Sequence, residues 1–362
     1  MGEETKEKGA GRSLLKILGK QMLRLVLLGN VLVLAWLWGC CLVTWIPCDS
    51  HPYISLLSIT FPIALLVNLL FVPVWLMLHR RCVWVPLLGT LLCWGYIRDY
   101  CPINRSKDLP EACLKVVSWN TMGMGKAEDR DASKDYVKNL DADIICLQEA
   151  AITGGGWEDF IADMKSLGYE HHCQKGLTLF TRLHILSTDT LCYDTRSNGS
   201  RWYLLAQGED TIALVNNHLE SNHLSAQIKE EYGQVIDRPG YHRAKQSGHS
   251  ILSHMAQSAR FRGNQTKALR DFVKEHQSHR IIVCGDFNDT PISYACQTLQ
   301  RHLKNAFRES GRGVGISYNE KGFWVRIDHI FFSSPGESYR TFVDSSIGVS
   351  DHYPIISWLN FE

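Results

Sequence analysis

The sequence predicts an α/β sandwich preceded by membrane-spanning helices. From Cys113 onward, short apolar strand candidates alternate with helical stretches. Several of those strands are apolar on both faces, as strands covered on both sides are. The first hundred residues hold long runs almost free of charge. At 362 residues the chain has room for one large domain or two ordinary ones, with a core of ordinary size in the alternating part.

Taken in order, residues 1–22 form a basic tail containing Lys6, Lys8, Arg12, Lys16 and Lys20. Residues 23–46 ("LRLVLLGNVLVLAWLWGCCLVTWI") carry one charge, Arg24, and then only apolar or small residues, enough to span a bilayer. The run is too long for the apolar part of a signal peptide, and a second span follows closely. Residues 55–78 have no charge, and their two prolines are tolerable in a membrane helix. A third run, residues 83–97, is short for a span and could cross, lie at the interface or re-enter. The membrane region is therefore placed at 23–98.

Basic residues sort the sides. Arg80 and Arg81 fall between the second and third runs, whereas the loop "PCDSHPY" has neither Lys nor Arg. The positive-inside rule puts the N-terminus and the Arg80–Arg81 loop in the cytoplasm. Three crossings make this a multi-pass inner-membrane protein whose large domain, after Tyr100, is extracytoplasmic (periplasmic). If the third run does not cross, that domain lies inside. Residues 99–112, with two prolines and mixed charge, read as a linker to a domain at 113–362.

Composition narrows the class. Residues 1–111 hold 11 Lys and Arg against 7 Asp and Glu, while residues 112–362 hold 27 against 30. The bulk of the chain is thus not the basic body of a non-specific nucleic-acid binder. The 12 Cys divide six and six between those parts, and no CxxC occurs, so a zinc site is not expected. Cys146 and Cys284 interrupt apolar strands and read as buried free thiols. Cys48 and Cys101 share a membrane side in the three-span topology, which permits a disulfide that spacing alone cannot establish.

In the C-terminal part, "LKVVSWN", "DIICLQE", "LTLFTR", "RWYLLAQ", "TIALVNNHLE", "RIIVCGDFN", "WVRIDHIFFS" and the segment after "SDHYP" read as strands. Helices are expected at "DASKDYVKNL", "WEDFIADMKSLG", much of 222–277, and "ISYACQTLQRHL". Many strands end in a polar residue that an ordinary terminus does not need: Asn120, Glu149, His218, Asp286 with Asn288, and Asp328. Asp351 and His352 begin the last strand. If these ends converge on one rim, they form a site of carboxylates, amides and imidazoles without a nucleophilic Ser or Cys.

Carboxylate and amide oxygens suit a hard cation such as Mg²⁺, or Mn²⁺, which usually keeps waters and also binds a substrate phosphate. A neighbouring Asp could take a proton from an attacking water that an amide such as Asn288 holds in line. A His paired with a second Asp would be biased toward imidazolium and could bind the pentavalent phosphoryl group. The set reads as metal-assisted phosphoester hydrolysis by water, without a covalent enzyme intermediate. Each residue alone is ordinary: an Asp-His in a loop is usually solvated surface, and a Gly-Asp after a strand is usually a turn. The ordered set is not ordinary.

"SWNTMG", "LQE", "NNHLE", "GDFND", "RIDHIF" and "SDHYP", in this order, closely resemble the signature boxes of the endonuclease/exonuclease/phosphatase superfamily, over about residues 113–362. That superfamily includes pancreatic-type deoxyribonucleases, AP endonucleases, inositol-polyphosphate 5-phosphatases and neutral sphingomyelinases. The N-terminal spans resemble the layout of membrane-anchored members from Bacteroides-type bacteria. The resemblance implies a four-layer αββα sandwich and, position by position, a set of roles. Glu149 would be the main Mg²⁺ ligand, with Asn120 supporting metal or phosphate and Asp351 close to the metal. Asp286 would orient or deprotonate the water, and Asn288 would hold it and the phosphate. His218 would contact the scissile phosphate or assist the leaving group, and Asp328 would pair with His352 on the phosphoryl oxygens. Gly285 is expected to let the backbone approach substrate, Phe287 to be core, and Asp289 to cap the following helix.

Two departures bear on substrate. The 5-phosphatases carry a Trp-Cys-Asp-Arg box where this chain has "WVRIDHI", and AP endonucleases usually show Asp-Tyr where it has Asp328-His329. The stretch from Tyr241 to Arg270 holds Arg243, Lys245, Arg260, Arg262, Lys267 and Arg270 with no acid. It is either a solvated helix face or a wall attracting an anionic substrate. The expected function is a membrane-anchored, Mg²⁺-dependent phosphoester hydrolase, because a tether favours a lipid headgroup or small phosphodiester in the bilayer. The alternative is an endonuclease or exonuclease on DNA or RNA, and a lesser one a non-catalytic receptor for a phosphorylated ligand. No protein partner is inferable.

Overall fold

The computed structural model describes residues 2–222, 241–320 and 323–361, with side chains from residue 16 in the first helix and from residue 248 in the helix that begins at Tyr241. The chain divides into two compact units, Met1–Val43 with Leu57–Tyr96, and Thr44–Leu56 with Ile97–Glu362.

The first unit contains the helices Gly2–Leu42, Phe61–Leu78 and Trp84–Leu92. Two stretches, Lys16–Trp45 and Pro52–Leu78, are long and apolar enough to cross a membrane. The third apolar run is divided between Trp84–Leu92 and Trp94–Tyr100, each short. Leu25, Leu32, Leu66 and Met77 stand exposed. Inside, Asn30 Nδ2 donates to Asn68 Oδ1 at 3.2 Å, and Trp75 Nε1 donates to Asn30 Oδ1 at 2.9 Å. Asn68 Nδ2 reaches Thr90 Oγ1 at 2.9 Å. Buried amides of this kind link apolar helices where water offers no alternative partner.

The second unit is built on two six-stranded sheets. Sheet one contains β1 (Leu114–Asn120), β2 (Ile144–Gln148), β3 (Glu170–Gln174), β4 (Leu177–Thr181), β13 (Glu337–Val343) and β14 (Ile355–Asn360), in the order β13-β14-β1-β2-β4-β3. Sheet two contains β5 (His184–Thr190), β6 (Ser200–Gln207), β7 (Asp210–His218), β8 (Arg280–Asp286), β9 (Lys304–Asn305) and β12 (Asp328–Phe332), in the order β5-β6-β7-β8-β12-β9. β10 (Tyr318–Glu320) and β11 (Phe323–Val325) pair antiparallel as a separate two-stranded sheet.

Strand alternation explains the doubly apolar runs. Val116, Ile144, Cys146, Leu214, Ile282 and Cys284 enter the core between the sheets. Their neighbours Val117, Ile145 and Leu147 face outward beneath the helices Arg130–Asn139 and Glu158–Ser166, packing on Val137, Phe160 and Met164. On the other side Val215, Ile281 and Val283 pack on Leu269, Phe272 and Leu299 from the helices Tyr241–Glu275 and Tyr294–Gln300. Helix, sheet, sheet, helix is the four-layer sandwich expected.

Five strands were not legible, β10 among them because it is three residues long. β5 is exposed or half-buried along its whole length, so it offers no apolar run, and β3 is little different. β13 is an edge strand with an irregular register, and β9 is two residues long. The expected strand "WVRIDHIFFS" is two strands, β11 and β12, separated at Arg326 and Ile327. There the buried Arg326 guanidinium donates to the carbonyls of Val314 and Asp99.

Sequence-distant segments belong to this unit. Lys267 Nζ lies 2.6 Å from Asp49 Oδ2, and the Arg301 guanidinium sits 3.9 Å from the Trp45 ring centre. A Cβ at Gly263 would meet the Asp49 nitrogen at 2.6 Å, so only glycine admits the Thr44–Leu56 loop there. In the stretch read as a linker, Asp99 is buried and accepts from Gln297 at 2.9 Å, Gln300 at 2.8 Å, and Arg308. Asn104 donates to the carbonyls of Arg308 and Gly311, both at 2.8 Å. Cys48 and Cys101 are free thiols, as are the buried Cys146 and Cys284. Burial, with Asp289 adding to it, pushes the Cys48 thiol up to about 12.

Gly285 also has a packing role. Its φ is +143° and a Cβ would fall 1.8 Å from Asn217 O on the adjacent strand β7. The glycine lets two strands close on each other beside the site. Gly285→Ala is expected to destabilise the fold by about 3 kcal/mol, combining backbone strain with overpacking, measured by denaturant unfolding. An unchanged midpoint would refute this.

Candidate active site

Register brings the polar strand ends together. In the parallel pair β1–β2, Asn120 lies opposite Gln148, so Glu149 follows at the same rim. In the parallel pair β7–β8, His218 lies opposite Asp286, and in the antiparallel pair β8–β12, Asp328 lies opposite Asp286. The loop before β14 delivers His352, whose carbonyl accepts from Trp119 Nε1 at 3.0 Å. Ser350 Oγ accepts from the His352 N–H at 3.1 Å and donates to Asn120 O at 2.9 Å.

Asn120 is the hinge pin of the arrangement. Its Nδ2 donates to Glu149 Oε1 and to Asp286 Oδ2, both at 3.1 Å, and so joins the two sheets. Asp286 Oδ1 accepts from the Asn288 N–H at 2.7 Å, and Asn288 Nδ2 donates to Asp286 Oδ2 and Leu219 O at 3.1 Å each. His218 Nε2 lies 3.5 Å from Asp286 Oδ2 and 3.8 Å from Glu149 Oε1. His352 Nδ1 is 2.9 Å from Asp328 Oδ2, with its Nε2 3.8 Å from Asp286 Oδ2. Asp351 is half-buried, and its Oδ1 lies 3.5 Å from Ser350 Oγ. Among the described residues it makes no bond to Glu149 or Asp286. Glu149 and Asn288 both hold left-handed backbone, φ +52° and +50°. Such strain in non-glycine residues, about 1 kcal/mol each, is characteristic of functional sites.

The electrostatics separate two groups. Burial alone would hold the His352 imidazole neutral, but Asp328, Asp286 and Asp351 push it up to about 10, so it is a cation at neutral pH. Burial pushes the Asp286 carboxyl up, opposed first by His352 while Asp328 adds to it.

The residues present fit a divalent cation. Asp286, Asp328 and His352 offer ligand atoms within 4.8 Å of one another. However, Asp328 Oδ2 and His352 Nδ1 already hold each other, and a protonated imidazole has no free lone pair. Glu149 is the open donor: its side chain is 46% exposed, against 1% for Asp286 and 0% for Asp328. Its carboxylate, beside Asn120 and Asp286, is an oxygen set of the hard type.

Two expectations are corrected. Asp289 is no helix cap: Ser293 Oγ accepts the cap bond from Cys296, while Asp289, half-buried, lies 3.3 Å from Arg262 Nε. Nor is the basic stretch a free wall. Arg262 is buried and donates to Glu220 O at 2.9 Å, Lys267 pairs with Asp49, and Arg270 pairs with Asp271. Arg260 is exposed; the side chains of Arg243 and Lys245 lie outside the described ones. Phe287 is buried core, as expected.

Several contributors were not legible in the sequence. Asn198 Nδ2 lies 3.0 Å from His218 Nε2 and donates to Leu219 O at 2.9 Å. It comes from the loop "TRSNGS", which carries no pattern. The Tyr318 ring centre lies 4.8 Å from that of His352, and Ser317 Oγ accepts from the Asp328 N–H at 3.1 Å. Only Ser350 could have been found, as a member of the "SDHYP" box.

Comparison with known proteins adds the following. The model of the endonuclease/exonuclease/phosphatase family matches residues 117–352, and that of a domain of unknown function matches residues 23–100. No curated protein matches in sequence. Among solved structures, the human nocturnin catalytic domain with bound sulfate is 18% identical, with 71% of this chain and 97% of that one covered and a TM-score of 0.50. Truncated Caenorhabditis elegans TDP2 is 18% identical over 70% and 99%, with a TM-score of 0.46. An endonuclease/exonuclease/phosphatase family protein from Bacteroides thetaiotaomicron is 16% identical over 70% and 100%, with a TM-score of 0.48.

Proposed function

Since the chain belongs to the endonuclease/exonuclease/phosphatase family and is a metal-dependent hydrolase of phosphoester bonds, we propose that it is a membrane-anchored phosphodiesterase acting on lipid headgroups or small phosphodiesters. The observation that carries the chemistry is the Asp328–His352 pair, held cationic beside Asp286 and across from the open Glu149 carboxylate. Glu149, with Asn120, would hold Mg²⁺ or Mn²⁺, which when bound neutralises charge on a phosphoryl oxygen. Asp286, its carboxyl raised by burial, takes a proton from the attacking water. Asn288 holds that water in line. His352 donates to the phosphoryl oxygens as negative charge grows on them, and His218, steadied by Asn198, faces the leaving oxygen.

A small substrate is favoured because Arg262, Lys267 and Arg270, three of the basic residues that could have walled a long polyanion, are engaged with this chain's own groups. For the side of the membrane, the loop Thr44–Leu56 and the whole of Ile97–Glu362 fall in one compact unit. With the basic N-terminus in the cytoplasm, that supports an extracytoplasmic hydrolase.

The test is an assay of the detergent-solubilised chain with Mg²⁺ against bis(p-nitrophenyl) phosphate, phospholipids, sphingomyelin and plasmid DNA. Turnover of the chromogenic diester and a lipid, abolished by chelator, is expected. Rapid DNA nicking without lipid turnover would overturn the substrate assignment. A C-terminal reporter active in the cytoplasm would overturn the topology.

A further inference from the structure

Beside the site lies a second concavity that the mechanism does not use. It has a volume of about 600 Å³ and lies within the hydrolase unit, lined among others by Asn104, Arg312, Ile316, Arg340, Phe342 and Tyr353. That volume is in the range of small-molecule sites. No carboxylate lines it, and neither Arg312 nor Arg340 has an ion-pair partner among the described residues. Both arginines are exposed, and two guanidiniums lining one concavity without a carboxylate favour an anion, their planar forks matching phosphate or carboxylate.

The backbone builds this wall. Between Tyr339 and Phe342 the β13–β14 register slips, with Tyr339 opposite Trp358 and Phe342 opposite Ile356. Two residues of β13 therefore face one of β14, a bulge, and Arg340 sits in it at φ +47°. A bulge re-aims a side chain off its regular face, and here an arginine takes a conformation ordinarily left to glycine. Asn104 is fixed by its bonds to the carbonyls of Arg308 and Gly311, both 2.8 Å.

The cavity adjoins the catalytic loop. Tyr353, which lines it, follows His352 directly, and the Asn319 amide Nδ2 donates to Tyr353 Oη at 2.6 Å. Tyr318, on the other face of the same strand, packs against the His352 ring. One strand edge, Tyr318–Asn319, thus stands between His352 and the wall that carries the two arginines.

We propose that this cavity is a second anion subsite, in which Arg312 and Arg340 bind a phosphate or carboxylate of the substrate remote from the scissile phosphate. The proposal rests on the phosphodiesterase reading and narrows it to diesters carrying a second anionic group, beside which Ile316 and Phe342 accommodate an apolar portion. The source is either a polyanionic lipid headgroup or a soluble bisphosphate; the subsite chemistry is shared.

The full chain in detergent is compared with Arg312→Ala/Arg340→Ala and with Arg340→Lys. Binding of thymidine 3′,5′-bisphosphate and of thymidine 5′-monophosphate is measured by calorimetry. In the double variant, bisphosphate binding should weaken about a hundredfold, tenfold or more for each guanidinium removed from the anion, while monophosphate binding stays unchanged. Arg340→Lys should recover part of the loss. For turnover, KM should rise for the p-nitrophenyl ester of thymidine 3′,5′-bisphosphate and not for bis(p-nitrophenyl) phosphate, with kcat unchanged. Cardiolipin against phosphatidylglycerol in mixed micelles gives the lipid arm, and the larger KM effect identifies the source. Equal weakening for one- and two-phosphate ligands, or no weakening, overturns the subsite. If the wild type turns over none of these substrates, the phosphodiesterase reading fails, and the two binding constants still decide the subsite.

Discussion

Glu149→Gln is expected to lower kcat about a thousandfold on any phosphodiester the wild type cleaves, with melting temperature nearly unchanged. The charge Glu149 contributes is what retains a divalent cation, and a metal on a phosphoryl oxygen is worth several kcal/mol of transition-state stabilisation. At about 1.4 kcal/mol per tenfold, that loss is three powers of ten. Stability should survive, because the Glu149 side chain is 46% exposed and its amide replacement can still meet Asn120. Calorimetric titration with Mg²⁺ provides the independent check: binding should be lost in the variant. Retained Mg²⁺ affinity with retained activity would show that the cation sits elsewhere, with the Asp286–Asp328 pair as the next place to look.

Asp328→Asn should move the alkaline limit of activity by several pH units. In the wild type His352 is pushed up to about 10, so kcat should hold from neutral pH well into the alkaline range and fall as the imidazolium is lost near there. Asp328 is the strongest of the groups holding that charge against burial. Without it only Asp286 and Asp351 oppose burial, so the imidazolium should be lost at a lower pH, and above that point kcat should fall by about 10²- to 10³-fold, as for loss of one oxyanion donor. Lowering the pH should then restore part of the rate. The stability linkage has the same sign: a raised folded-state value means His352 stabilises the fold fully below its ordinary 6.5 and ceases to do so as pH rises through about 10. A pH–rate profile whose alkaline limb is identical in wild type and variant would remove His352 from the role of charge donor.

The core and the catalytic rim were legible for the same reason. Strands such as "RIIVCGD" feed two cores at once, so both faces are apolar, and a carboxylate at their end is conspicuous against that background. Six such ends in family order identified Asn120, Glu149, His218, Asp286, Asp328 and His352, and the structure brings these six together. What escaped notice was whatever lacks contrast: β5, exposed along its length, the bulged edge strand β13, and Asn198, one polar residue in a polar loop. The basic stretch misled for a related reason. Charge counted along a sequence does not reveal that Arg262 is buried and that Lys267 is answered by Asp49, more than two hundred positions earlier.

That last pairing has a consequence for how the enzyme can be cut. The hydrolase is not one stretch of chain: Asp49 and its loop are translated first, two apolar helices intervene, and the remainder follows from Ile97. A single cut between Leu56 and Ile97 would part the Thr44–Leu56 loop from the rest of its own unit. A fragment beginning after Tyr100 would leave Lys267 without Asp49 and the space against Gly263 unfilled.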